Sequence, residues 1–192
     1  MNPLALGVDP GFASFGWALV RLSSSLVVEG MGVLRTAKSD AKRNVYATDD
    51  TLRRAREVSG SLLELLAPHM GDLRVVCAEA MSYPRVKGNV MAVAVSQMSM
   101  AWGIIALLAE QWDLPIVQGS PQSIKKALCG TQKATKEEVQ ATLDAQFGAS
   151  LGEAHLKPHK VPKGQWEHPY DALAAVVALQ HSDVVRAIRG VG

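Results

Sequence analysis

Short apolar runs separated by polar turns dominate the first part of the chain and return twice in its middle. Runs of this length, bounded by turn-forming residues, are typical of β-strands. The predicted strands cover residues 4–9, 15–22, 26–34, 74–79 and 114–117. The first and fourth strands end in acidic residues, Asp9 and Glu79. Each acid directly follows an apolar run, where a charged side chain is unexpected.

Apolar residues recur at helical spacing through most of the remaining chain. The predicted helices cover about residues 50–67, 89–112, 121–130, 136–147 and 168–188. Thr135 is followed three residues later by Glu138, which predicts a capping box at the start of the fourth helix. Residues 35–49 and 148–167 lack this spacing, so we expect irregular loops there.

The order of these elements predicts the fold class. Strands followed by strand–helix–strand crossovers into the same sheet indicate an α/β protein of three layers, with a central mixed five-stranded sheet flanked by helices. The chain of 192 residues is long enough for one well-buried domain and contains no internal repeat. We therefore assign residues 1–192 to a single domain.

Membrane insertion and disulfide bonding are both disfavoured by the sequence. The uncharged segment 88–109 is long enough to span a bilayer, but polar residues interrupt its first half and no cationic cluster flanks it. We expect a helix buried in the core or at a subunit contact. Cys77 and Cys129 have no disulfide or zinc spacing, and no signal sequence opens the chain, so we expect a cytoplasmic protein with reduced thiols.

Three acidic residues are candidates for one metal site. Asp9 and Glu79 follow buried strands, and Asp171 opens an Ala-rich helical segment that can approach the sheet closely. Ionised carboxylates gathered at a sheet edge raise the free energy unless a cation neutralises them, so this cluster predicts a divalent metal. His168 lies one helical turn before Asp171 and could bind the metal or relay a proton, with Glu167 as the rival for that role.

Basic residues are concentrated in two stretches, although the net charge is only +2. Residues 35–56 carry seven cations, and residues 121–136 carry four lysines and no acid: Lys125, Lys126, Lys133 and Lys136. Such patches suit a polyanion bound at one face, although solvated surface is the alternative. The segment after Glu79 contains Tyr83, Arg85 and Lys87, a mixture of aromatic and cationic side chains that suits unstacked bases and phosphates.

Four motifs occur in an order that resembles a known family. They are Gly7-Val8-Asp9-Pro10-Gly11 with Gly16 after it, the strand ending in Glu79, the segment SPQSIKKALCG at 120–130 with ATKEEVQ at 134–140, and HPYDALA at 168–174. In these motifs the chain resembles the RuvC family of Holliday junction resolvases, which have a ribonuclease H-like fold. The resemblance covers nearly the whole chain.

The resemblance implies a function and a site. Asp9, Glu79 and Asp171 would bind two Mg²⁺ or Mn²⁺ ions, with His168 at a position where members carry aspartate or histidine. Lys125 and Lys136 match lysines that hold junction phosphates. Members act as homodimers that nick opposed strands of four-way DNA in recombination and repair. Branch-migration machinery would be a further partner, and the uncharged helix a subunit contact.

Departures from the family pattern leave other functions open. The family's aromatic wedge past the second acid falls near Ser82, which leaves Tyr83 for that role, and the segments 35–49 and 148–167 look enlarged. The alternatives are a nuclease of the same fold that cuts flaps, forks or RNA-containing duplexes, and a junction-binding protein without catalysis. An actin-like ATPase would need a second such domain.

Overall fold

The structure, a computed structural model, describes residues 2–39, 46–81, 90–148 and 150–190. Within these ranges the chain forms one five-stranded sheet, with the strands in the order β3-β2-β1-β4-β5. The strands are β1 (Leu4–Asp9), β2 (Ser14–Leu22), β3 (Leu26–Arg35), β4 (Leu73–Glu79) and β5 (Ile116–Gly119). β1 pairs antiparallel with β2 and parallel with β4, so the predicted mixed sheet is confirmed.

Helices cover both faces of this sheet. They are α1 (Ala47–Leu66), α2 (Val90–Gln111), α3 (Pro121–Cys129), α4 (Lys136–Phe147), α5 (Glu167–Leu179) and α6 (Asp183–Arg189). The predicted capping box is present at the start of α4, where the Thr135 hydroxyl accepts from the backbone N–H of Glu138 and the Glu138 carboxylate accepts from that of Thr135. This pairing satisfies two backbone donors and fixes where α4 begins.

The alternation of side chains along β1 divides the core into two halves. Leu4, Leu6 and Val8 face α1 and α2, whereas Ala5 faces α5. Successive residues of a strand point to opposite faces, so each face of the sheet acquires its own apolar cluster. The result is the three-layer arrangement expected from the sequence.

The C-terminal region departs from the predicted single helix over 168–188. α5 ends at Leu179 and α6 begins at Asp183, because Ser182 has extended backbone dihedrals and its hydroxyl accepts from the backbone N–H of Val185. A serine in this role begins a new helix instead of continuing the old one. The prediction of one long helix was therefore wrong.

The prediction of an irregular loop over 148–167 was also wrong in part. This segment contains a π-helical turn at Gly152–Leu156 and a 3₁₀ turn at Lys163–Gln165. Leu156 is fully buried, and the indole N–H of Trp166 donates to the carbonyl of Val161 at 3.0 Å. The segment therefore packs as part of the domain.

Both cysteines are free, as predicted. Cys77 is buried in β4, and its burial raises the thiol pKa to about 12. No helix in the described part of the chain is long and apolar enough to cross a membrane.

Candidate active site

The two strand-end acids meet at one edge of the sheet. β1 and β4 are parallel neighbours, and Val8 is paired with Ala78. The next residue of each strand is acidic, so Asp9 and Glu79 leave the sheet side by side at its carboxyl edge. Ligand sites in open α/β sheets commonly occur at this edge.

Two glycines bring α5 onto the same edge. A Cβ on Gly7 would lie 2.1 Å from the carbonyl oxygen of Ala172, and one on Gly16 would lie 2.2 Å from the carbonyl oxygen of His168. Since real Cβ atoms do not approach so closely, only glycine permits this helix–sheet distance. Gly7 and Gly16 therefore admit the α5 backbone beside Asp9.

His168 contacts the first acid directly. Its Nδ1 lies 2.7 Å from Oδ2 of Asp9, and its Nε2 lies 3.8 Å from Oε1 of Glu167. The hydrogen bond to Asp9 is the main cause of a raised His168 pKa, which favours the imidazolium near neutral pH. The other carboxylate, Glu167, forms an ion pair with Lys136.

The remaining two acids hold their protons unusually tightly. Burial, followed by repulsion from Asp171 and Asp9, raises the pKa of Glu79 to about 7. Burial, followed by repulsion from Asp9, raises the pKa of Asp171 to about 6. The three carboxylates therefore lie close enough to repel one another in a poorly hydrated place, as titratable groups at functional sites often do.

These groups fit a divalent cation by their chemistry. Within the described ranges, no three His, Cys, Asp or Glu side chains are drawn together tightly enough to enclose an ion. The mutual repulsion at Glu79 and Asp171 is nevertheless the kind that a cation relieves, and carboxylate oxygens with one imidazole are ligands that Mg²⁺ and Mn²⁺ accept. Asp9, Glu79, Asp171 and His168 would hold it.

Two of the predicted DNA-binding lysines border the acids. Lys125 and Lys136 both lower the pKa of Glu79 by their charge, although burial and the two neighbouring acids outweigh them. Lys133 is exposed in the turn between α3 and α4 and takes part in no contact with the acids among the described residues. Tyr83, Arg85 and Lys87 lie outside the described residues, as does Ser82.

Part of the first basic stretch is structural. Arg54 is only 2% exposed, donates from Nε to the Thr36 hydroxyl at 2.9 Å and lies over the ring of Phe12. Arg53 forms ion pairs with Asp50 and Glu57. Arg54 is therefore buried within the fold and does not belong to the patch predicted over 35–56, whereas Arg53 is ion-paired but remains at the surface.

Sequence reasoning missed a buried polar network beside Asp171. The hydroxyl of Tyr170 donates to Oδ1 of Asp144 at 2.7 Å and accepts from the backbone N–H of Gly152 at 2.9 Å, and the same Asp144 oxygen accepts from the N–H of Leu151 at 3.1 Å. The network ties α5 to α4 and to the π-helical turn. In the sequence, Tyr170 stands out only because it directly precedes Asp171. Its hydrogen-bond partners, Asp144 and Gly152, are distant in the chain.

A family model described as "Crossover junction endodeoxyribonuclease RuvC" matches residues 5–148. The chain belongs to this family. The match places this chain among the RuvC endodeoxyribonucleases, a family that depends on divalent metal ions. The matched range contains Asp9, Glu79 and the four predicted DNA-binding lysines, whereas His168 and Asp171 lie beyond it.

Individual relatives agree with the family match. The RuvC of Thermomicrobium roseum is 34% identical over 136 residues, which is 70% of this chain and 73% of that protein. The RuvC of Rhodopirellula baltica is 28% identical over 143 residues, covering 74% and 72% of the two chains. Thermus thermophilus RuvC, solved in complex with a Holliday junction substrate, superposes with a TM-score of 0.68 at 18% identity and covers 98% of this chain and 97% of that one. The predicted ribonuclease H-like fold is confirmed.

Proposed function

We propose that this enzyme resolves Holliday junctions by paired, symmetric nicks in opposed strands of four-way DNA. The observation that carries the proposal is the convergence of Asp9, Glu79 and the first turn of α5 at one sheet edge, where two carboxyl groups have raised pKa values. Family membership supplies the reaction class, and the site supplies the groups that the reaction needs.

We assign the metal ligands to Asp9, Glu79, Asp171 and His168, with two Mg²⁺ or Mn²⁺ ions. Bound there, the ions would activate a water molecule and stabilise the leaving oxygen. Asp9 orients the imidazole of His168 through the 2.7 Å contact with Nδ1, so that His168 can serve as a ligand or hold a proton beside the reacting phosphate. The carboxylates keep the site negative enough to attract cations before DNA arrives.

Lys125, Lys133 and Lys136 would bind the DNA backbone beside these acids. The positive charges of Lys125 and Lys136 are close enough to lower the pKa of Glu79. A phosphate held by these lysines would therefore lie within reach of the metal ligands. Tyr83, Arg85 and Lys87 remain predicted DNA contacts, with Tyr83 as the predicted wedge. DNA bound this way would be held mainly by its backbone, which suits a substrate recognised by shape.

A homodimer would match the two-fold symmetry of the junction. The outer face of α1 and α2 supports this, because it exposes apolar side chains around a cavity of about 300 Å³. Leu107 is 71% exposed there, Leu52 is 55% exposed and Leu63 is 41% exposed. We propose this face as the subunit contact, which extends the sequence prediction for the uncharged helix. Residues 1–192 would act as one domain in the cytoplasm.

Cleavage of defined substrates tests the proposal. A mobile four-way junction, a replication fork, a flap and an RNA–DNA hybrid of matched sequence would be incubated with the protein over a titration of Mg²⁺ and Mn²⁺. We expect nicks at symmetric positions in opposed strands of the junction, with 5′-phosphate ends that ligase can seal. Equal or faster cutting of the fork, flap or hybrid would reject junction resolution. Junction binding without cutting at any metal concentration would indicate a binding protein.

A further inference from the structure

A small polar cavity opens beside the acid cluster, next to the first turn of α5. It has a volume of about 180 Å³ and lies between the start of α4 and the segment 150–166. Asp171 and Tyr170 belong to its wall, so anything bound in it would lie next to the proposed metal ligands. Lys163 and Lys136 also line it, together with the carboxylates of Glu137 and Glu167.

Lys163 is held in a fixed position by the fold. It begins the 3₁₀ turn Lys163–Gln165, and the Gln165 side-chain oxygen at the end of that turn accepts from the hydroxyl of Ser14 at 2.7 Å. The Lys163 ammonium lies 5.6 Å from the centre of the Trp166 ring, a cation–π contact. Trp166 is itself buried against Gly152, where a Cβ would be 2.3 Å from the indole.

The two lysines of the cavity differ in how far their charges are neutralised. Lys136 is ion-paired with Glu167. Lys163 has no ion pair within 4 Å among the described residues, and it is exposed. Glu153 attracts Lys163 only at longer range and is itself ion-paired with Lys157. An exposed cation that is held by an aromatic ring and has no close anionic partner is suited to receive an anion from solution.

We propose that Lys163 binds a backbone phosphate of the cleaved DNA strand, next to the scissile phosphate. The inference rests on the proposed function, because it takes the scissile phosphate to lie at Asp9, Glu79 and Asp171. A strand that continued from those acids past Asp171 would reach the cavity, where Glu137, Glu167 and Asp171 would repel a phosphate and Lys163 would attract it. The contact is supplied by a part of the chain beyond the family match at 5–148.

Equilibrium binding to a labelled four-way junction, without divalent ions and over a series of salt concentrations, tests this contact. Each phosphate contact contributes roughly 0.7 to 0.9 to the slope of log K against log salt. We expect Lys163→Gln to reduce that slope by about this amount and to weaken binding several-fold at low salt. Lys160→Gln is the matched control, since Lys160 lies in the same segment, is exposed and is outside the cavity.

Neutral methylphosphonate linkages placed singly around the cleavage site locate the phosphate. We expect one position at which the neutral linkage weakens binding by the wild-type protein but not by Lys163→Gln. At that position Lys160→Gln should lose as much affinity as the wild type. The inference would be overturned if Lys163→Gln left the salt slope unchanged, or if both variants changed it equally. It would also be overturned if no methylphosphonate position distinguished Lys163→Gln from the wild type. Wild-type protein that binds duplex and junction equally would instead reject the proposed function, so the two failures are distinguishable.

Discussion

Nδ1 of His168 lies 2.7 Å from Oδ2 of Asp9, although 159 residues separate the two in sequence. The contact joins the first strand to the first turn of α5 and is the main cause of the raised His168 pKa. A group whose pKa is raised by folding stabilises the fold fully below its unfolded pKa of 6.5 and loses that contribution as pH rises through the folded value. The pair therefore stabilises the site most in mildly acidic solution.

The pKa of His168 should fall when Asp9 loses its charge. We expect Asp9→Asn to lower it toward 6.5, because the remaining acids near His168 act only through longer-range attraction. Imidazole ¹⁵N chemical shifts followed over pH in EDTA measure this directly. An unchanged His168 pKa would show that the Asp9 contact does not control its protonation.

Asp9→Asn should also abolish cleavage while leaving junction binding intact. The substitution keeps the size of the side chain but removes a charged metal ligand, so we expect at least a 10²-fold loss, an order of magnitude typical for removing a group that stabilises transition-state charge. Single-turnover cleavage and metal-free binding on the same junction separate the two effects. Near wild-type nicking would remove Asp9 from the metal ligands.

Lys125→Ala should lower cleavage and make junction binding less sensitive to salt, with a slope reduced by roughly 0.7 to 0.9. Lys125 acts on the charge of Glu79, whereas its neighbour Lys126 is exposed and is absent from the groups that act on Glu79. Lys126→Ala is therefore the matched control and should affect cleavage less. If the two variants had the same cleavage rate and salt slope, Lys125 would have no special role at the scissile phosphate.

The sequence predicted the sheet and its two acidic strand ends well because both depend on local patterns. Apolar runs ending in Asp9 and Glu79 specify parallel strand ends that must meet at one edge. The break between α5 and α6 escaped prediction because it depends on the Ser182 cap, which competes with continuous helical periodicity on both sides. Lys163 escaped because its position depends on Trp166 and on Ser14, and a side-chain contact across 151 residues leaves no mark in local sequence.

Glu79→Gln should stabilise the protein above neutral pH and have little effect at pH 5. Folding raises the pKa of Glu79 from 4.5 to about 7, so its ionisation destabilises the folded state progressively between these values and fully above pH 7. Removing the charge should raise the free energy of unfolding by about 1–2 kcal/mol at pH 8, after allowance for solvent screening. Thermal melts in EDTA at pH 5 and pH 8 measure it. An equal effect at both pH values would mean that packing, and not charge, explains the change.

Gly16→Ala should damage both stability and metal binding, because an added Cβ would lie 2.2 Å from the carbonyl oxygen of His168. Relief of that clash requires α5 to move away from β2, carrying His168 and Asp171 away from Asp9. We expect a loss of about 3 kcal/mol or more, as for other overpacked sites, together with weaker Mn²⁺ binding. Gly60→Ala is the control: it lies within α1, its Cβ would meet nothing within 4 Å, and the change should stabilise the helix by about 0.5–1 kcal/mol. Chemical denaturation and Mn²⁺ titration of both variants measure these effects. If Gly16→Ala had unchanged stability and Mn²⁺ affinity, the close approach of α5 to β2 would not be needed to position the metal ligands.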